Sequence, residues 1–318
     1  MADKKKKVLV AIDGSNISTD LISYVGESFS PVNTDIVLYH VDVEVPELFL
    51  DTGIEQEFFL KMHSVRAWMI ESQKRIEEFM KKAEESLKGY GFTKDSITKK
   101  VVERKSGVAR DIINESLKGY SAVVLGRTGV SKLKDFIIGS IASKLLGKMH
   151  HVPLIVVGKS HNPRKILIGF DGSDCAKVAV NHVGDFFTGG DCHVCLCHVV
   201  RPINLTQLVE EPENLPPENL PIDELEWLKV RKDSINPQLD SAAKDLIDAG
   251  IPQTRVTKKI LVDQHSRAEA IIEEAKKGGF GTIVVGRRGL TFVEEFFLGR
   301  VGKKVFQMGD DFTIWVVS

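Results

Sequence analysis

Cysteine is scarce in this chain, with four residues in 318. Three of them crowd between positions 192 and 197, which is not the spacing of a disulfide framework, so we expect a reducing, cytoplasmic environment. Neither sign of charge dominates, because 43 Lys and Arg oppose 44 Asp and Glu for a formal net charge of −1. That balance argues against a general nucleic-acid binder. No apolar run approaches the roughly 18 residues of a membrane span, so we expect no membrane-spanning segment.

The motifs of common catalytic sites are also lacking. The sequence contains no G-x-S-x-G nucleophile turn, no G-x4-G-K-(S/T) phosphate loop and no H-E-x-x-H zinc motif. No residue stands out as a general base that would orient a water molecule. The sequence therefore predicts neither catalytic residues nor a metal site.

The two halves of the chain repeat one pattern. KKVLVAIDGSNIS in the first half corresponds to RKILIGFDGSDCA in the second, and AVVLGRTG corresponds to TIVVGRRG. A register that drifts by only two residues over half a chain indicates a duplicated domain, and the period is far longer than that of a solenoid. The aligned pairs are Asp13 with Asp171, His40 with His198, and Gly126 with Gly286, at offsets of 158, 158 and 160 residues.

Short apolar runs alternate with helical patterns in each half. Continuous runs such as VLVAI, ILIGF, AVVLG and TIVVG are typical of strands buried on both faces of a parallel sheet. Strands that alternate with helices predict an α/β fold, here with five parallel strands and flanking helices in each half. We predict two tandem domains, 1–158 and 165–318, joined by the polar linker Lys159–Arg164.

A glycine-containing loop follows the fourth strand of the first half. Gly126, Arg127 and Gly129 begin it, and after nine further residues Gly139 and Ser140 open a helix. Glycines allow the backbone to turn its N–H groups toward a ligand, and a helix start adds unpaired N–H donors and a positive dipole end. Ser140 adds a hydroxyl donor and Arg127 a charge at the rim. The spacing favours a phosphate chain, although such glycines are also ordinary turn residues.

With its G-x2-G-x9-G-S loop and its duplication, the sequence resembles a tandem member of the universal stress protein family, in the subgroup that binds ATP. The resemblance implies two Rossmann-like domains of the adenine nucleotide alpha hydrolase-like type, and ATP with Mg²⁺ or Mn²⁺ held through its phosphates. It also implies that the first and second strands, which end near Asp13 and Val41, hold adenine and ribose. The binding residues implied in the first domain are Ala11, Asp13, Val41, Gly126, Arg127, Gly129, Gly139, Ser140 and Ile141.

The second half departs from this pattern at the start of its last helix. Gly299 is followed by Arg300 where the family subgroup has Ser or Thr, so the hydroxyl donor is lost. Arg287 and Arg288 would make this loop more basic. Arg300 either blocks a triphosphate or pairs with a shorter phosphate group, and we expect weak or absent ATP binding here. The candidate residues of this second, weaker site are Asp171, Val199, Gly286, Gly289, Gly299 and Arg300.

Two further features have both an ordinary and a functional interpretation. Asp13 and Asp171 position the nucleotide in the functional interpretation, whereas in the ordinary one each is a helix N-cap. Cys195 and Cys197 lie with His193 on one face of a strand, as metal ligands would. Because this run aligns with the core strand IVLYHV, we favour buried cysteines that pack as small hydrophobic residues.

The leading hypothesis is an ATP-binding regulatory protein of the stress response, whose ligand state alters its interaction with an unidentified protein partner. A slow ATPase or autophosphorylating enzyme is the first alternative, and a scaffold without nucleotide is the second. The resemblance implies an internal pseudo-dimer that packs through the fifth strands, VPLIVV and FTIWVV, and a homodimer of chains is left open. The acidic, proline-rich residues 210–227 are expected to form an exposed, lid-like segment.

Overall fold

The computed structural model describes residues 5–14, 17–42, 55–127, 139–159, 162–200, 224–262, 264, 266–287 and 299–318. The chain forms two compact units, Met1–Leu145 and Leu146–Ser318. Gly129 and Gly289 of the predicted loops, and residues 210–223 of the predicted lid, lie outside the described residues.

The first half of the chain alternates strands and helices in the predicted order. The long helix α2 has the bounds that its sequence pattern suggests, since it ends at a glycine suited to a helix C-terminus. A short 3-10 turn, Lys94–Ser96, precedes the third strand. The elements are β1 Lys6–Ala11, α1 Ile17–Ser28, β2 Thr34–Asp42, α2 Glu55–Gly89, β3 Ile97–Glu103, α3 Val108–Ser116, β4 Ala122–Gly126, α4 Ser140–Lys148 and β5 Leu154–Val157.

The second half repeats the same succession of elements. Another 3-10 turn, Gln253–Arg255, precedes its third strand, at the place equivalent to the turn in the first half. The elements are β6 Lys165–Gly169, α5 Asp174–Phe186, β7 His193–Val199, α6 Glu224–Asp248, β8 Val256–Leu261, α7 Arg267–Gly278, β9 Thr282–Gly286, α8 Arg300–Met308 and β10 Thr313–Val317.

In the first unit, four parallel strands form a sheet in the order β3-β2-β1-β4. The apolar runs of β1 and β4 lie in its middle, and Val8, Leu9, Val10 and Val123 are fully buried. Burial on both faces explains why these strands read as continuous apolar runs and not as alternating ones. The predicted α/β fold is confirmed.

In the second unit, β10, β9, β6, β7 and β8 are consecutive parallel neighbours and give the predicted sheet of five parallel strands. β5 joins this sheet beside β10, and these two strands run antiparallel, with Trp315 opposite Ile155. The predicted pairing of the two fifth strands is therefore present. Because β5 belongs by its contacts to the second unit, the boundary between units precedes it. The domain limits expected from the sequence, 158 and 165, stay a prediction.

An ion-pair cluster joins α3 to β3 in the first unit. The Glu115 carboxylate is buried and accepts hydrogen bonds from Lys100 Nζ at 2.7 Å, Lys118 Nζ at 2.9 Å and Tyr120 Oη at 2.8 Å. Burial opposes the charge on Glu115, but these three donors outweigh it and lower the pKa of the carboxyl group to about 2.

Glu115→Gln is expected to lower the free energy of unfolding by about 1–2 kcal/mol at pH 6, because the folded-state pKa lies below the ordinary value of 4.5. This contribution is present above the unfolded pKa and is lost as the pH falls through the folded one. Urea denaturation of wild type and variant should therefore give a difference that is roughly halved at pH 3. Glu85→Gln, at an exposed position of α2, is the matched control. An equal difference in the free energy of unfolding between wild type and Glu115→Gln at pH 6 and at pH 3 would contradict this prediction.

Candidate functional site

In the sheet of the first unit, the order of the strands changes direction at β1, which makes β1 a topological switch point. The chain adds β2 and then β3 on one side of β1 and returns to add β4 on the other side. In open parallel sheets, ligands bind at the carboxyl ends of the strands beside such a switch point. Register pairs Ala11 at the end of β1 with Tyr39 in β2 and with Leu125 in β4. The loop that follows Ala11 therefore lies at the carboxyl edge of the sheet, where a ligand is expected.

The loop after β1 turns at a glycine that the structure requires. Gly14 has φ +73°, a conformation that favours glycine, and a Cβ there would lie 2.8 Å from Ile76 Cδ1 of α2. Asp13, immediately before it, is partly exposed. In the second unit Gly172 has φ +82°, and a Cβ there would collide with the side-chain amide of Gln238 on α6. The long second helix of each half thus packs against this loop.

A histidine of the second strand fixes the peptide that precedes the aspartate. His40 Nδ1 donates to the carbonyl of Ile12 at 2.9 Å, and His198 Nδ1 donates to Phe170 O at 2.8 Å. A carbonyl only accepts, so Nδ1 carries the proton in both rings. Burial lowers the pKa of His198 and so favours its neutral form. The sequence reasoning used these histidines to mark the repeat and missed this role, although their identical offset was a usable signal.

The start of α4 is held against the end of β4. Gly139, which precedes α4, donates its N–H to the carbonyl of Arg127, which follows β4, at 2.9 Å. Ser143 N–H bonds to Gly139 O at 3.0 Å, so the N–H groups of Ser140 and Ile141 precede this donor and lie in the first turn. Ser140 is exposed, which leaves its hydroxyl at the surface of the helix start.

The structure brings most of the predicted binding residues to one edge of the first sheet. Gly126 ends β4, Arg127 follows it, and Val41 lies near the end of β2. Arg127 is 5% exposed, so its side chain lies inside the protein and not freely at the rim. Val41 is also buried, at 4% exposed. The role of each in binding stays a prediction.

The second unit has the same backbone arrangement with different side chains. Gly299 donates its N–H to Arg287 O at 2.7 Å, as Gly139 does to Arg127. Arg300 is exposed at the first position of α8, at the place equivalent to Ser140. Gly286 ends β9, and Val199 ends β7 with 6% of its surface exposed.

Asp171 holds the turn after β6 and does not cap the helix that follows. Its Oδ1 accepts the N–H of Ser173 at 3.0 Å, whereas the hydroxyl of Ser173 accepts the N–H of Ala176 at 3.3 Å and caps α5. The N-cap interpretation is therefore wrong for Asp171, because Ser173 occupies that position. The hydrogen bond from Ser173 N–H therefore fixes the position of the Asp171 carboxylate at the carboxyl edge of the sheet.

Arg287 contradicts the expectation that it makes the second glycine loop basic. Its side chain is 2% exposed and donates to the carbonyls of Leu146 and Met149 and, from Nε at 2.8 Å, to Ser318 Oγ. The guanidinium thus lies among carbonyls at the C-terminal end of α4. The sequence could not show this, because the contact joins residues about 140 positions apart.

The crowded cysteines lie inside the second unit. Cys192, Cys195 and Cys197 are 0–3% exposed, and burial raises the pKa of each thiol, to about 11 for Cys192 and about 12 for Cys197. Their position in and before β7 agrees with the core-strand interpretation. Among the residues that the structure describes, no group of three or more His, Cys, Asp or Glu residues is arranged to hold a metal ion. Within the same ranges, no helix has the length and apolar character needed to cross a membrane.

Comparison with known proteins identifies the family. The model of the universal stress protein family matches residues 5–158 and again residues 162–308. The universal stress protein YxiE of Bacillus subtilis (strain 168) is 28% identical over 149 residues, which are 45% of this chain and 92% of that protein. A universal stress protein of Mycolicibacterium smegmatis is 35% identical over 86 residues, 26% of this chain and 29% of that protein.

Structural comparison agrees with this assignment at the level of the fold. A solved universal stress protein from Archaeoglobus fulgidus DSM 4304 has a TM-score of 0.57 at 19% identity, over 99% of this chain and 97% of that one. The two matches of the family model together cover most of the sequence. This chain belongs to the universal stress protein family and carries two of its domains in tandem.

Proposed function

We propose that the first domain binds ATP between the end of β4 and the start of α4, and that the chain acts as a nucleotide-dependent regulatory protein. The observation that carries the proposal is the hydrogen bond from Gly139 N–H to Arg127 O. It holds the donor-rich start of α4 beside the switch point of the sheet. A helix start at the carboxyl end of a parallel strand suits the phosphates of a nucleotide.

The other residues of this edge support a nucleotide more than a free phosphate ion. Asp13 follows β1 and Val41 is the last residue but one of β2, so a polar and an apolar group lie beside the proposed phosphate position. Such a pair suits a ribose hydroxyl and a flat base. Mg²⁺ or Mn²⁺ would be held through the phosphates. The charge that such an ion supplies would offset part of the charge of the triphosphate.

We further propose that only the first domain takes ATP tightly. Ser140 offers a hydroxyl donor at its helix start, whereas Arg300 places a long cation at the equivalent position of α8. The cysteine usage supports action in the cytoplasm, in keeping with a regulatory role toward a protein partner.

Calorimetric titration with ATP tests the proposal, with one site per chain as the expected result. Mass spectrometry of denatured, freshly purified protein should also detect co-purified ATP. Adenosine is the matched control ligand, because it retains the base and the ribose but lacks the phosphates. We expect adenosine to bind at least about tenfold more weakly, since it loses the charge-assisted bonds. Two tight ATP sites per chain, or no measurable affinity, would refute this assignment.

A further inference from the structure

Arg231 is a half-buried cation on the inward face of α6. It lies one helical turn before Ile235 and two turns before Leu239, both of which are buried. The residues on either side of it, Val230 and Lys232, are exposed. Burial lowers the pKa of Arg231, so its positive charge lies in surroundings that solvate it less well than water does. An anion beside this guanidinium would offset that cost.

The direction of α6 places Arg231 beyond the carboxyl ends of the strands. β7 and β8 are parallel neighbours, so the helix that connects them runs back antiparallel to both. Gln238 lies against Gly172, which follows the end of β6. Arg231 precedes Gln238 by about two turns of the helix, or about 10 Å. Arg231 therefore lies over the carboxyl edge of the second sheet, where ligands bind in sheets of this kind.

A second arginine, Arg267, reaches the same edge from α7. It is the first residue of that helix, which follows β8, and it is exposed. Burial lowers the pKa of His198, and the charges of Arg267 and Arg231 lower it further. Because His198 is the last residue but one of β7, both guanidinium groups lie near the end of that strand.

Acidic residues at this edge have contacts other than these two arginines. Glu269, in the first turn of α7, lies 3.8 Å from Lys304 Nζ. Asp171 Oδ1 accepts the N–H of Ser173 at 3.0 Å. The edge thus combines two guanidinium groups with carboxylates that already have ionic or hydrogen-bonding contacts of their own.

The first unit has uncharged residues at both equivalent positions. The register that aligns the buried faces of α2 and α6 places Ser72 at the position equivalent to Arg231. Val108, which begins α3, corresponds to Arg267, which begins α7. Both pairs have the same offset of 159 residues. The pair of arginines is therefore a property of the second repeat and not of the duplicated fold.

We propose that the second unit binds a phosphate group, free or as the ester of a small molecule, which Arg231 and Arg267 hold at the carboxyl edge of its sheet. A guanidinium group presents its N–H donors in a planar fork that matches the oxygens of phosphate, and two such groups suit a doubly charged ligand. Neither arginine belongs to the glycine loop after β9, so this site differs from a repeat of the ATP site. It does not depend on ATP binding in the first domain.

The test is calorimetric titration of the full chain with inorganic phosphate and, separately, with glycerol 3-phosphate. We expect Arg231→Gln and Arg267→Gln each to weaken binding at least about tenfold, because each loses charge-assisted hydrogen bonds. Arg231→Lys keeps the charge without the planar fork and should recover part of the affinity. Both ligands test the same phosphate chemistry, and the tighter one tells whether the site takes free phosphate or an ester.

Lys232→Gln is the matched control, because Lys232 is exposed beside Arg231 on the same helix. It removes one positive charge from α6 and should keep phosphate affinity within about twofold. Repeating the titrations in the Ser140→Asp background excludes phosphate that binds at the start of α4. Succinate, which is also doubly charged, is the control ligand and should bind more weakly than phosphate.

Three results would overturn the proposal. They are absence of phosphate and glycerol 3-phosphate binding to the wild type at about 20 mM, tighter binding of succinate, and equal losses of affinity in Lys232→Gln and Arg231→Gln. ATP affinity separates this site from the proposed function. It should stay within about twofold in Arg231→Gln, whereas a tenfold loss would make this edge part of the nucleotide site and overturn the separate phosphate site. Absence of ATP binding in the wild type would overturn the proposed function and leave the phosphate site standing.

Discussion

Ser140→Asp is expected to weaken ATP binding about 100-fold, or about 2.7 kcal/mol, while leaving the fold intact. The substitution places a carboxylate at the first position of α4, where the phosphates are proposed to bind, so two negative charges oppose each other. In the free protein the same carboxylate complements the positive end of the helix and contributes about 0.5 kcal/mol of stability. Affinity should therefore fall while the melting temperature stays the same or rises, as measured by calorimetric titration and thermal unfolding.

Arg300→Asp provides the matched control, because Arg300 occupies the equivalent first position of α8. If the second repeat takes no ATP, this change leaves the ATP affinity of the chain unaltered. A loss of affinity in Arg300→Asp together with wild-type affinity in Ser140→Asp would move the site to the second domain. Wild-type ATP affinity in both Ser140→Asp and Arg300→Asp would show that neither the start of α4 nor the start of α8 contacts the nucleotide.

Trp315→Ala is expected to lower the free energy of unfolding by about 4 kcal/mol, the largest stability effect that we anticipate. Trp315 is fully buried in β10, with the Phe186 ring at 5.5 Å and the Phe187 ring at 5.9 Å between centroids. Its loss removes a large apolar surface and leaves a cavity that two aromatic rings can only partly fill. Guanidinium denaturation followed by circular dichroism measures the change.

Met308→Ala tests whether such a loss is specific to the core. Met308 is 41% exposed at the end of α8, in the same unit, and its truncation should cost less than about 0.5 kcal/mol. A loss below about 1 kcal/mol in Trp315→Ala would show that the pocket around β10 is already loosely packed.

The sequence predicted the strands and their succession because the burial of a central parallel strand dictates its composition. Val8, Leu9 and Val10 must be apolar on both faces, and this leaves a continuous run in the sequence. Duplication then supplied each element twice, so an ambiguous run in one half could be checked against its counterpart. The pairing of the fifth strands was implied by the resemblance to the family, and the apolar character of both strands is consistent with it.

The side-chain contacts of Arg287 and His40 could not be predicted from the sequence because each joins residues that are distant along the chain. Arg287 belongs to a glycine loop by its position in the sequence, and there a cation suggests a phosphate ligand. In the structure its guanidinium lies instead at the carbonyls of Leu146 and Met149. His40 likewise needs the position of the Ile12 carbonyl before its role can be seen. Periodicity and composition contain no information on such geometry.

The antiparallel pair of β5 and β10 lies within one polypeptide, and this has an evolutionary consequence. Where identical subunits meet through the same strand, every substitution appears twice and must suit both copies. In this chain β5 and β10 are separate segments of one sequence, so a substitution in one repeat does not appear in the other. One copy can then keep a serine at the start of its last helix while the other has an arginine at the equivalent position. A tandem arrangement thus allows the two repeats to specialise for different functions, which identical subunits in a symmetric dimer cannot do.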